Sequence, residues 1–151
     1  RRIALATDGS PASAKALEFV LAKFQPDRPT GKGRSAPIHV SVIHVTLRRP
    51  LALFDIGTTI PWTQQRRLKV KEESRTLLDQ SVQKLIEAGF RAKSVSRVGN
   101  PAEQIMEAAS KQQADLIVMG AQGLGALDRF FLGSVSTRVV QYANGAVLVV
   151  R

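Results

Sequence analysis

The run Leu116-Ile117-Val118-Met119 is apolar at every position. A strand with one wet face alternates polar and apolar residues, whereas a strand covered on both faces does not, so this run belongs in a parallel sheet with helices above and below. Four other segments read as strands, and the set lies near 3–7, 38–46, 93–98, 115–119 and 146–150. Helical patterns fill the intervals. The resulting order, βαβαβαβαβ, predicts an α/β fold with a doubly wound, five-stranded parallel sheet sandwiched by helices. At 151 residues the chain is expected to form one domain, 1–151.

The helix starts carry their own signals. Ser10 is a good N-cap and Pro11 suits the first helical position, with Ala14, Leu17, Leu21 and Phe24 following at helical spacing. Asn100-Pro101-Ala102-Glu103 joins a cap, a proline at N1 and an acid at N3, and Ala102, Ile105, Met106 and Ala109 then form an apolar face. A long polar segment from about 65 to 88 carries Leu78, Val82 and Leu85 at the same period and stops at Gly89. Two stretches interrupt the alternation. Residues 26–37 hold three prolines, two glycines and three basic residues and read as a solvated excursion, while 47–64 contain Leu51, Leu53, Phe54, Ile56, Ile60 and Trp62 without a period. The second stretch reads as a loop tucked against the long helix or, alternatively, as a lid or partner patch.

Charge and composition exclude several classes. The net charge is +10, and 14 basic against 6 acidic residues in 1–75 put most of the excess in the first half. Acidic partners fit that balance. The chain has one Trp and one Tyr, so stacking aromatics do not interleave with the charges, which argues against a nucleic-acid surface. No apolar stretch approaches the ~20 residues of a membrane-spanning helix, and no long apolar region follows Arg1-Arg2, so a soluble, cytoplasmic protein is expected. Zero cysteines remove disulfides, thiolate nucleophiles and thiolate metal sites. His39 and His44, the two histidines, stand five apart in a strand and so face opposite sides, which is poor geometry for a shared metal. His44 reads as part of the second-strand core.

Beyond the fourth strand, Gly120 and Gly123 stand where ligands of parallel sheets gather, and the absence of a β-carbon permits positive φ and close approach of a ligand. Gly133-Ser134 then opens a helical segment, offering free amides and a hydroxyl to an anion. If the first and fourth strands flank the binding crevice, Asp8 faces Gly120 across it. A carboxylate there can accept from ribose hydroxyls or an adenine amine, or it can simply cap the turn at Gly9-Ser10. Ser134 can equally be an N-cap.

The spacing Gly120-x2-Gly123-x9-Gly133-Ser134 resembles the ATP-binding signature of the universal stress protein family. The resemblance extends to Ile3–Ser10, to Val42-Ile43-His44-Val45, to 98–105 and to Ala146–Val150, in the family's order. It implies a Rossmann-like fold of the adenine nucleotide alpha hydrolase type, and a nucleotide site built from Ala6, Asp8, Val45, Met119, Gly120, Gly123, Gly133, Ser134, Val135 and Ser136. In that reading Val45 meets the adenine through its backbone, Met119 packs on the ring, and Ser134 and Ser136 bind phosphate oxygens. The implied cofactor is ATP, with or without Mg, and ADP or AMP are alternatives. The resemblance also implies a homodimer through the last strand, Ala146–Val150, an edge whose unpaired backbone groups invite another strand. Gln122 departs from the pattern, standing where many relatives carry a basic residue.

No residue stands out as a general base, and neither a P-loop nor a Gly-x-Gly-x2-Gly after the first strand is present. The leading expectation is therefore a nucleotide-dependent stress-response module without turnover. Two rivals remain: a slow ATP hydrolase or nucleotidyl-transferring enzyme, and a dimer scaffold independent of nucleotide. The chain also reads as a piece that can belong to a tandem protein.

Overall fold

The computed structural model describes residues 1–26, 37–47, 64–123 and 132–151. Its elements run β1 (Arg2–Ala6), α1 (Pro11–Lys23), β2 (His39–Thr46), α2 (Gln64–Glu87), β3 (Arg91–Val98), α3 (Pro101–Lys111), β4 (Leu116–Gly120), α4 (Ser134–Tyr142) and β5 (Ala146–Val150). The strands pair in parallel, as the alternating pattern predicts, and their order is β3-β2-β1-β4-β5. Every strand lies within about two residues of its expected bounds.

The period-2 geometry of strands divides their side chains between two cores. On one face Ile3, Leu5, Val40, Val42 and Val118 pack with Ala16, Leu17 and Val20 of α1 and Leu78 and Leu85 of α2. On the other, Ala4, Ala6, Ile43, Val95, Ile117 and Met119 pack with Ala102, Ile105, Ala108 and Ala109 of α3 and Val139 of α4. Each fully buried aliphatic side chain contributes about 1.5–3 kcal/mol. Leu85 is fully buried, and truncating it to Ala would cost about 2–5 kcal/mol.

The helix boundaries follow the local chemistry. Ser10 caps α1 by accepting from the Ser13 N–H at 3.2 Å, and Asn100 caps α3 by accepting from Ala102 N–H (3.1 Å) and Glu103 N–H (3.3 Å). Gly89, at φ +92°, supplies the left-handed turn that ends α2 and lets Phe90 enter the core. Residues 27–36 and 48–63, which include most of the proposed lid, lie outside the described residues, as do Gly125, Asp128 and Arg129. Among the described residues no helix is long and apolar enough to cross a membrane.

Candidate functional site

β1 pairs with β2 on one side and β4 on the other, so the connections leaving β1 and β4 diverge and open a crevice at their carboxyl ends. Three pieces of chain meet there: the Asp8–Ser10 turn, the 121–123 turn and the start of α4. The Asp8 carboxylate accepts from the Ser10 N–H through Oδ1 at 3.0 Å, an Asx turn, so the turn-capping role is present. Its Oδ2 points the other way, 2.8 Å from where a β-carbon on Gly123 would stand. A carboxylate oxygen is thus aimed at a backbone that only glycine lets it approach.

The two halves of the glycine signature close on each other. Gly133 N–H donates to Ala121 O at 2.7 Å, and a β-carbon on Gly133 would lie 3.4 Å from Gln122 Cα and 3.6 Å from the Gly123 nitrogen. Ser136 is buried, and its one hydroxyl hydrogen is shared between Ala121 O (2.8 Å) and Gly133 O (2.9 Å), stapling the first turn of α4 to the β4 turn. That hydroxyl is turned inward, onto the two carbonyls. Ser134 is exposed, and it is not the N-cap: Gly133 is, with no side-chain cap bond and no acid in the first turn. Among the described residues no side chain caps the start of α4, and its first turn carries no acid.

Gly120 has a packing reason of its own. Residues 116, 118 and 120 share the α1 face of β4, and a β-carbon on Gly120 would stand 2.6 Å from the Ala12 carbonyl carbon and 2.8 Å from the Ser13 nitrogen. Gly120 lets the first turn of α1 seat on β4. Neither it nor Gly123 has positive φ; among the described glycines that conformation belongs to Gly9, Gly89 and Gly99. Ala6, Val45 and Met119 all belong to the α3-side core, where Ala6 and Met119 are buried and Val45 is half-buried. Val135 packs beside them from α4.

His44 is more than a core residue. Half-buried, its Nδ1 lies 2.9 Å from Thr7 O and its Nε2 3.1 Å from Ser74 Oγ on α2. A carbonyl only accepts, so Nδ1 carries the hydrogen. Thr7 N–H donates to Ile43 O at 2.9 Å, so β2 grips both backbone groups of the residue before Asp8. Leu77 completes the brace, its Cδ2 3.5 Å from where a β-carbon on Gly9 would stand. Spacing alone could not find this contact, because it joins residues 37 and 30 apart in the chain. Among the described residues no three His, Asp or Glu side chains cluster to hold a metal ion.

The chain matches the model of the universal stress protein family over residues 1–151. Universal stress protein YxiE of Bacillus subtilis strain 168 is 32% identical over 157 residues, covering 99% of this chain and 98% of that one. The solved structure of protein MJ0577 superposes with a TM-score of 0.77 at 29% identity, covering 99% of this chain and 94% of that one. A family member from Arabidopsis thaliana, solved with AMP bound, shares the fold at a TM-score of 0.62 and 18% identity, covering 99% of this chain and 90% of that one. A whole-length family match, a full-length relative and a shared fold agree, and the chain belongs to the universal stress protein family.

Proposed function

We propose that the carboxyl end of the sheet binds an adenine nucleotide, ATP foremost, and that the chain acts as a nucleotide-responsive stress module rather than through turnover. The observation that carries this reading is the convergence of Gly123 and Gly133 beside the Asp8 carboxylate, at a helix start that no side chain caps among the described residues. A β-carbon would fill the cradle at Gly123, where Asp8 Oδ2 is 2.8 Å away. The amides of the first turn of α4 and the Ser134 hydroxyl suit phosphate oxygens. Asp8 suits a ribose or adenine donor, with Ala6, Val45, Met119 and Val135 forming the apolar floor below. The AMP-bound relative makes an adenine ligand the natural choice for this crevice. A magnesium ion would arrive on the phosphates, since Asp8 is a single carboxylate and α4 presents amides and hydroxyls.

The same reading assigns a homodimer to β5, which occupies one edge of the sheet with Val147 to Val150 only half-buried. An edge strand of five apolar residues invites pairing with a second copy.

Calorimetry with ATP, ADP and AMP tests the site. Gly123→Val should abolish binding in a protein that still folds by circular dichroism, and retention of parental affinity would reject the cradle. Asp8→Ala should weaken all three nucleotides by a similar factor, on the order of tenfold for one charge-assisted hydrogen bond. A loss confined to ATP would move Asp8 to the phosphate end.

A further inference from the structure

The opposite end of the sheet holds a second concave site. α3 has 11 residues and so covers roughly 16 Å of the sheet, whereas the eight residues of β2 or β3 extend about 26 Å. The helix runs out before the strands do. Beneath it the face is apolar, with Ile43 and Val95 buried; beyond its last turn the same face becomes Ser41, His39, Lys93 and Arg2. Register places Ser41 opposite Lys93 and His39 opposite Arg2, so four polar side chains occupy adjacent positions of three neighbouring strands. With Lys111, Gln112 and Gln113 at the end of α3 they line a cavity of about 310 Å³.

Three features set this basin apart from an ordinary solvated face. Ser41 is only 6% exposed, yet among the described residues its hydroxyl has no hydrogen-bond partner, and no buried polar atom is left unsatisfied, so the hydroxyl opens into the cavity it lines. Two or more positive charges surround it and no carboxylate lines it. The acids at this end are engaged: Asp115 accepts from the Arg2 backbone N–H at 2.7 Å, and Glu107 pairs with Lys111. Finally, Gln113 holds a left-handed φ of 52°, a conformation that glycine or asparagine adopts more cheaply, and its side-chain oxygen accepts from the Arg2 guanidinium. That φ belongs to the turn that ends α3, closed by Gln113 N–H to Ser110 O and Ala114 N–H to Ala109 O, and it sets the Gln113 side chain beside Arg2.

We propose that this basin is an anion site distinct from the nucleotide crevice, taking a phosphate-bearing ligand of two or more negative charges, with Ser41 as the central donor and Lys93, His39 and Arg2 around it. Multiple cations without a lining acid favour multiple anionic oxygens, and a small hydroxyl at the floor gives the site a directional donor that diffuse surface charge lacks. Free pyrophosphate and the tail of a nucleoside polyphosphate present the same chemistry.

Calorimetric titration of the whole chain with pyrophosphate at low ionic strength tests it, with Gly123→Val included to silence the crevice. Gly123→Val should retain one pyrophosphate site, the basin, and the further variants are read on that background. Lys93→Glu should weaken it tenfold or more, and the isosteric Ser41→Ala, which leaves net charge untouched, by about three- to tenfold. Titrating ATP into Gly123→Val separates the ligand sources: an affinity equal to that of pyrophosphate assigns the phosphates alone, and a tighter one assigns a nucleoside polyphosphate. Unchanged binding in folded Ser41→Ala would reduce the basin to diffuse charge and overturn the proposal. So would loss of pyrophosphate binding in Gly123→Val alone, or no binding by the parent at millimolar concentration.

Discussion

Helices α3 and α4 lie on the same face of the sheet and begin in the same way, with an extended residue before the first turn, but they treat their free amides oppositely. Asn100, at φ −69° and ψ 121°, turns its side-chain oxygen onto two of them, and Pro101 removes a third donor while Glu103 adds a negative charge. Gly133, at φ −63° and ψ 158°, has nothing to turn, and no acid follows it. A helix start that only needs stability closes itself with about 1 kcal/mol of capping. One that forgoes the cap leaves its donors and its positive end open to a ligand, the role we propose for α4. Glycine is tolerated as an N-cap at small cost, so the sacrifice at α4 is modest.

The contrast can be broken or sharpened at four places. The largest effect should come from Gly120→Val, because a β-carbon 2.6 Å from the Ala12 carbonyl carbon has nowhere to go. Overpacking against backbone should cost about 3 kcal/mol or more in urea denaturation, and it separates a glycine that serves the fold from Gly133, which serves the helix start. Parental stability would show that α1 shifts freely.

Gly133→Asp gives α4 the kind of cap α3 has. Its β-carbon would sit at ordinary contact distance, 3.4 Å from Ala121 O, so the protein should fold, with stability equal or raised by a few tenths of a kcal/mol. Nucleotide affinity should fall at least tenfold, about 1.4 kcal/mol, as the new carboxylate takes the amides and repels phosphate. Undiminished ATP binding by calorimetry would separate α4 from the phosphates.

The reverse change, Asn100→Ala, should lower stability by about 1 kcal/mol in the same denaturation assay and leave ATP affinity unchanged. A change in affinity would mean that α3 reaches the crevice.

The smallest effect belongs to the exposed surface of α3. The Lys111 ammonium, hydrogen-bonded to Glu107, holds that carboxyl below the ordinary glutamate value, with Gln104 adding a second bond. A depressed folded-state value means that the contribution is present above the ordinary glutamate range and is lost as pH falls through the folded value. Glu107→Gln should therefore melt slightly below the parent at neutral pH, near the limit of detection for a surface pair, and the gap should close on acidification. A gap that widens in acid would reverse the sign.

Much of this architecture was legible residue by residue. Ser10, Asn100 and Gly89 end or start helices through contacts within a few positions of themselves, and strands such as Leu116–Gly120 carry their burial in their apolar pattern. The glycine spacing, together with the segments around it, pointed to the family. Less legible was the division of labour among the glycines and serines. Gly120 spaces α1 rather than turning the chain, Ser136 staples α4 to the β4 turn, and His44 braces Thr7 against α2. One part of this was within reach, since period-2 alternation from Leu116 already puts Gly120 on the α1 face.

By itself, then, the sequence determined what depends on near neighbours: which segments are strands, where helices start and stop, that the sheet is parallel, and which family the chain joins. Propensity, capping and hydrophobic period act over a few residues and are written in linear order. Only the tertiary structure decided which backbone a missing β-carbon makes room for, which hydroxyl is turned inward and which opens into a cavity, and how far α3 reaches across the face it covers. Those depend on distances between segments tens of residues apart, and such distances exist only once the sheet order has set them.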